Sequence, residues 1–188
     1  MKDCSKQLCE DVFLVYGLDG IPLGAINRKA TTKIPAGFAP PQFLTTAYRA
    51  ASNLPAGASK WRLDAKTVGF IYEDFFCTGK GQLRFNHPTF DCFDVATGVA
   101  ISVKTFNFHR KTNKILSKAR YTLKRYVRAA CGYNRETSEI RLADIRSKTI
   151  QVGLPPGAIP VGMQGVFNDV TAYALTQCGA SVSFGSFD

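Results

Sequence analysis

The stretch Thr89-Phe90-Asp91-Cys92-Phe93-Asp94-Val95-Ala96-Thr97-Gly98-Val99-Ala100-Ile101-Ser102-Val103-Lys104-Thr105 reads as two alternating runs around a turn. Gly98 can supply the positive φ that a short hairpin loop demands. With a symmetric two- or four-residue loop, Asp94 faces Val99, Cys92 faces Ile101 and Asp91 faces Ser102. Opposed residues share a sheet face. One face then carries Phe90, Cys92, Val99, Ile101 and Val103, an apolar core surface. The other gathers Thr89, Asp91, Ser102 and Lys104. A three-residue loop would shift the register and split Asp91 from Ser102. Asp94, next to the turn, reads as turn chemistry.

On the N-terminal side of this hairpin, Val68, Ile71, Tyr72, Phe75 and Phe76 recur at helical spacing, which predicts a helix between Leu63 and Cys77 stopped by Gly79 and Gly81. On its C-terminal side, Ile115, Leu116, Ala119, Leu123, Tyr126, Val127 and Ala130 predict a second helix from Asn113 to Cys131, ended by Gly132. The opposite side of that helix carries Lys114, Lys118, Lys124, Arg125 and Arg128, with Arg110, Lys111 and Arg120 close by. No acid stands between Asp94 and Glu136, so these eight cations form a cationic ridge.

Residues 148–154 read as a strand, 161–177 as a helix stopped by Gly179, and 180–184 as a last strand. Strand, helix and strand with tight connections make a βαβ unit, and the fold class is α/β (α+β) with a mixed central sheet flanked by helices. Residues 1–58 differ: a short apolar run, then Pro22, Pro35, Pro40, Pro41 and Pro55, predict an N-terminal arm or small subdomain with little regular structure before a domain at 59–188.

With 24 Lys+Arg against 14 Asp+Glu, the net charge is +10 and favours a polyanionic partner, nucleic acid ahead of an anionic membrane surface. No apolar run has the length of a membrane span, which predicts no stable membrane insertion. Six cysteines, Cys4, Cys9, Cys77, Cys92, Cys131 and Cys178, are scattered without a CxxC pair, and are expected to be reduced, mostly buried thiols. His87 and His109 are the only histidines and are expected in loops or on the surface, His109 within reach of phosphate.

A carboxylate and a lysine on paired strands suit metal-dependent phosphodiester hydrolysis. The acid holds a divalent cation that polarises the phosphoryl oxygen and lowers the pKa of a water, while the ammonium stabilises growing charge. One carboxylate is too weak a ligand set, and Glu73 or Asp74 on the preceding helix are the nearest further acids; periodicity does not choose between them. An Asp, a Ser and a Lys on one hairpin face are also what a solvated strand face contains.

Glu73-Asp74, then Thr89-Phe90-Asp91, then Ala100-Ile101-Ser102-Val103-Lys104-Thr105 resemble the C-terminal toxin domains of CdiA proteins from bacterial contact-dependent growth inhibition. More closely, they are similar to the zinc-dependent DNase subgroup of PD-(D/E)xK-superfamily nucleases. The resemblance runs from about Gly69 to the C-terminus. It implies a PD-(D/E)xK nuclease-like core and an antibacterial endonuclease that hydrolyses DNA with a metal-activated water. Glu73 and Asp91 would be metal ligands, with Zn2+ first and Mg2+ or Mn2+ as alternatives. Ser102 would stand in the place of the second acid, and Lys104 would be the lysine of the motif. Arg110, Lys111, Lys114 and Lys118 would track the phosphate backbone. The sequence departs from the family pattern in a shorter segment between Glu73 and Asp91 and in Lys104-Thr105-Phe106-Asn107, where an acid is lost. Related toxins cleave tRNA, and a non-catalytic basic nucleic-acid-binding module is the other alternative. The resemblance also implies a cognate immunity protein, export as part of a larger protein, and action in the cytoplasm of the target cell.

Overall fold

The computed structural model describes residues 12–16, 22–27, 42–83, 87–109 and 114–188. Strands β1 (Val12–Tyr16) and β2 (Pro22–Asn27) pair antiparallel, and helix α1 (Gln42–Ser52) follows. The segment expected to be largely irregular therefore contains a hairpin and a helix. α1 buries Ala47 in a cluster with Ile71 and Tyr72 of helix α2 (Ala65–Cys77). α2 begins where Asp64 accepts hydrogen bonds from the N–H groups of Lys66 and Thr67. Such an N-cap satisfies donors that the first turn cannot.

A five-stranded sheet follows in the order β3 (Gly81–Gln82), β4 (Cys92–Asp94), β5 (Val99–Thr105), β6 (Ser147–Leu154), β7 (Ser181–Ser186). β3, β4 and β5 are antiparallel neighbours, and β5, β6 and β7 run parallel. The parallel pairs require crossovers. Helix α3 (Ile115–Cys131) lies between β5 and β6, and α4 (Met163–Cys178) between β6 and β7. α3 and α4 bury Ala119, Leu123, Val127, Val166, Phe167 and Val170 against one sheet face. α2 covers the other through Ile71 and Tyr72 over Cys92, Ile101 and Val103. None of the described helices is long and apolar enough to cross a membrane.

The hairpin has the four-residue connection and register that Gly98 predicted: Cys92 opposite Ile101 and Asp94 opposite Val99. Gly98 has φ +71°, and a Cβ there would meet Arg146 Cγ at 2.7 Å. Asp94 Oδ1 accepts from Ala96 N and Thr97 N, which are turn bonds, and the Thr97 contacts lower its pKa. Phe90 departs from expectation. β4 begins only at Cys92 and Asp91 lies in a bend, so alternation does not extend back, and Phe90 packs with Phe93 and Ala100 on the α3–α4 side.

The cysteines differ as well. Cys77 is disulfide-bonded to Cys92 and Cys131 to Cys178, with Cα–Cα distances of 5.7 and 5.6 Å. Pairing partners stand 15 and 47 residues apart, so spacing carried no sign of them. Chain-entropy reasoning gives each crosslink roughly 3–4 kcal/mol of stabilisation. Cys4 and Cys9 lie outside the described residues.

Candidate active site

Asp91 sits in the bend that enters β4, and both of its carboxylate bonds fall on Oδ2: Val103 N donates at 2.6 Å and Lys104 Nζ at 2.9 Å. Lys104 Nζ also donates to the Val103 carbonyl at 2.8 Å. The carboxylate keeps 16% of its side-chain surface exposed and the lysine 28%. This is a shielded but reachable ion pair. An ammonium has three donors, so the third N–H of Lys104 remains for a ligand.

Ser102 holds the register position expected of it, but its hydroxyl donates to the Thr89 carbonyl at 2.9 Å and the residue is buried. It therefore orients the segment that delivers Asp91 and does not line an open site. His87 supports that segment from the other end. It is a loop residue, as expected, yet it is buried: Nδ1 accepts from Phe90 N at 3.2 Å, and Nε2 lies 3.3 Å from Tyr133 Oη. The only sequence sign of this role was its place two residues before Thr89.

Glu73 and Asp74, neighbours on α2, have different surroundings. Asp74 accepts a hydrogen bond from Tyr48 Oη of α1 at 2.5 Å. Glu73, half-buried, is pushed up to about 7 by burial first and then by the negative charge of Asp91, with Lys104 acting in the opposite direction and Asp74 adding to the rise. Glu73 is thus the acid that shares a field with Asp91 and Lys104. Two carboxylates that repel one another are a fitting setting for a divalent cation, which relieves the repulsion. Their donor set is oxygen only, and among the described residues no group of three or more His, Cys, Asp and Glu converges. Water and substrate phosphate would have to complete the shell, the manner in which Mg2+ and Mn2+ are usually held, whereas Zn2+ more often takes nitrogen or sulfur.

Tyr72, beside Glu73, fixes α2 on the sheet. Its hydroxyl accepts from Gln151 Nε2 at 2.8 Å, Gln151 Oε1 accepts from Ser183 Oγ, and a Cβ on Gly153 would come within 2.7 Å of the Tyr72 ring. Nothing in the sequence pattern revealed this chain, because its members come from three separate elements.

The cationic ridge is less continuous than expected. Arg120 and Lys124 form ion pairs with Asp169 of α4 at 2.9 and 3.1 Å, so a distant acid neutralises part of it. Arg110 and Lys111 lie outside the described residues. Lys114 precedes the first turn of α3. Lys118 lines a cleft of about 140 Å³ beyond the end of β5, with Trp61, Val68, Phe106, Asn107 and Thr122. That cleft begins one residue past Lys104.

A mixed five-stranded sheet with helices on both faces is consistent with a restriction endonuclease-like domain, and here an acid in the bend before β4 is ion-paired to a lysine of β5. The chain belongs to the family of CDI toxin restriction endonuclease-like domains, whose model matches residues 69–182. The fold is also similar to a solved chain of the CdiA-CT/CdiI toxin and immunity complex from Yersinia pseudotuberculosis. The TM-score is 0.51 at 19% identity, over 62% of this chain and 98% of that one. Comparison with curated proteins gave no match. The family identifies a nuclease-like toxin domain.

Proposed function

We propose that this domain is an antibacterial endonuclease that hydrolyses phosphodiester bonds of target-cell DNA. The observation that carries the reading is the Asp91–Lys104 ion pair at the entry to the hairpin, with Glu73 carried on α2, the helix that packs on the same sheet. Glu73 and Asp91 would hold a divalent cation, with Zn2+, Mg2+ and Mn2+ all compatible with carboxylate oxygens. When bound, such an ion supplies Lewis-acid stabilisation of phosphoryl charge and a more acidic water. The protein groups do the positioning. Asp91 Oδ2 and the Val103 carbonyl fix two of the Lys104 donors, aiming the third at a phosphoryl oxygen, where it stabilises charge that develops in the transition state. The Ser102–Thr89 bond keeps Asp91 from shifting relative to β5. Lys118, with Lys114 and the flanking Arg110 and Lys111, would hold the backbone of the nucleic acid by counterion release.

Membership in a toxin family supports two further elements of the reading. The domain would be carried by a larger exported protein into the cytoplasm of the target cell, and a cognate immunity protein would protect the producer. The similar Yersinia chain is described in a complex of toxin and immunity protein.

Purified protein incubated in parallel with plasmid DNA and with tRNA tests the substrate, and an Asp91→Ala variant tests the chemistry. Nicking or linearisation of plasmid by the wild type, absent in the variant, is the expected result. Cleavage of tRNA alone would move the substrate to RNA. Full lethality of the Asp91→Ala variant on intracellular expression would overturn the catalytic assignment.

A further inference from the structure

β5 ends at Thr105 with α2 on one side of the sheet and α3 on the other, and the cleft of about 140 Å³ opens where the strand no longer separates them. Crevices outside the carboxyl ends of parallel strands are where open α/β sheets hold ligands. Its apolar wall is led by Trp61, in the 3-10 turn Lys60–Arg62 ahead of α2, with Val68 and Phe106 behind. Trp61 Nε1 donates to the Phe187 carbonyl, which fixes the ring plane, and among the described residues no other ring stacks on the indole. The polar groups of the lining are donors and hydroxyls. Thr105 and Thr122 make no side-chain hydrogen bond among the described residues, and neither hydroxyl is sealed from solvent. Asn107 Oδ1 accepts from His109 N, which leaves its amide NH2 to donate. Lys118 is exposed, and no Asp or Glu lines the cleft. An apolar slot with a fixed indole, unengaged donors and a cation suits a flat ring that bears carbonyl oxygens and is tethered to phosphate. The volume is well below the roughly 300–1,000 Å³ that encloses a drug-sized molecule, so one ring system is the limit.

We propose that this cleft is a nucleobase subsite, in which Trp61 stacks one unpaired base of the nucleotide next to the phosphate held by Lys104. Thr105, Thr122 and Asn107 meet the carbonyl oxygens of that base, and Lys118 holds the adjoining phosphate. The choice of nucleic acid as ligand rests on the nuclease reading above. Thr105 follows Lys104 directly, so their Cα atoms are about 3.8 Å apart. That is close to the rise of about 3.4 Å per nucleotide along one strand, so a phosphate on the lysine brings the neighbouring base to the cleft mouth. A base enters only when it has left its own stack, and the indole face replaces the stacking it gives up. The subsite therefore selects single-stranded or locally opened segments.

The test measures binding with divalent cations chelated, so that hydrolysis does not intervene. The ligands are a short oligothymidylate, an abasic deoxyribose-phosphate chain of equal length and an oligouridylate, followed by Trp61 fluorescence and by anisotropy of the end-labelled chain. Oligothymidylate should quench Trp61, the only tryptophan, and the abasic chain should bind more weakly and without quenching. Trp61→Leu should lose roughly 5–150-fold in affinity for oligothymidylate, the range for one stacked base, with its affinity for the abasic chain unchanged. Trp61→Phe, which keeps a ring, should retain most of the affinity. Ala65→Phe, at an exposed position lining the cleft, should exclude the base without disturbing the core, and it decides the question if circular dichroism shows Trp61→Leu unfolded. Quenching by oligouridylate in place of oligothymidylate would support the subsite and assign its base to RNA. Equal affinity of wild type for the base-bearing and abasic chains would overturn the proposal, as would equal losses on both chains in the variants. Absence of quenching by either base-bearing chain would overturn it too, leaving the cleft to another ligand such as a segment of a partner protein. Base-dependent quenching in a protein that cleaves nothing once cations are restored would instead overturn the nuclease reading and leave the subsite standing.

Discussion

Glu73 offers a prediction whose sign and window follow from its surroundings. An unperturbed glutamate carries its proton up to about 4.5, whereas burial and Asp91 push Glu73 up to about 7 in the folded protein. The folded state therefore binds this proton more tightly than the unfolded state. Its contribution to stability is full below pH 4.5 and is lost as pH rises through 7. A rise from 4.5 to about 7 corresponds to about 3 kcal/mol at full strength, and to about 1–2 kcal/mol once solvent screening through the open side of Glu73 is counted. Asp64, Asp94, Asp144 and Asp169 are all lowered, so they titrate below this window. Urea unfolding of cation-free protein from pH 4.5 to 7.5, with Glu73→Gln beside wild type, isolates the effect as a difference curve in which histidine contributions cancel. Wild type should lose about 1–2 kcal/mol relative to the variant across that range. An Asp91→Asn protein, lacking the second cause of the rise, should show the Glu73 midpoint moved downward by carboxyl NMR. Parallel stability curves for wild type and Glu73→Gln would refute the raised Glu73 pKa, and an unmoved midpoint in Asp91→Asn would refute the part assigned to Asp91.

Two other outcomes follow from the geometry. Gly153→Ala places a methyl against the immobile Tyr72 ring and should cost about 1–3 kcal/mol in urea unfolding. Unchanged stability would show that Tyr72 is not pinned there. Lys118→Ala should reduce the slope of log affinity against log salt by about 0.9 for duplex DNA. The fluorescence of Trp61, the only tryptophan, provides the binding signal because it lines the same cleft; an unchanged slope would remove Lys118 from the phosphate contacts.

The parts of this architecture legible in the sequence are those encoded locally. Gly98 at the turn determined the pairing of Cys92 with Ile101, and the helical stripe from Val68 to Phe76 announced α2. The unit β6–α4–β7 followed from a strand pattern, a helix stripe and Gly179. What escaped depends on residues brought together from far along the chain. Cys77 meets Cys92, and Cys131 meets Cys178, only because α2 packs on β4 and the ends of α3 and α4 converge. Asp169 lies 49 residues from Arg120, so the acid-free run from 95 to 135 gave no sign that α4 would neutralise part of the ridge. The role of Phe90 was missed because periodicity cannot announce the bend at Asp91. The site shows both limits. Strand arithmetic placed Asp91 near Lys104, but the different surroundings of Glu73 and Asp74 depend on how α1 and α2 pack.

The most direct test of the central claim is a metal-replacement series. Wild type and Asp91→Ala protein are stripped with chelator and then supplied separately with Mg2+, Mn2+ and Zn2+ on plasmid DNA and on tRNA. The account predicts that wild-type cleavage disappears on chelation and returns with a divalent cation, while Asp91→Ala stays inactive with every ion. Cleavage indifferent to chelation, or restored equally in Asp91→Ala, would contradict it.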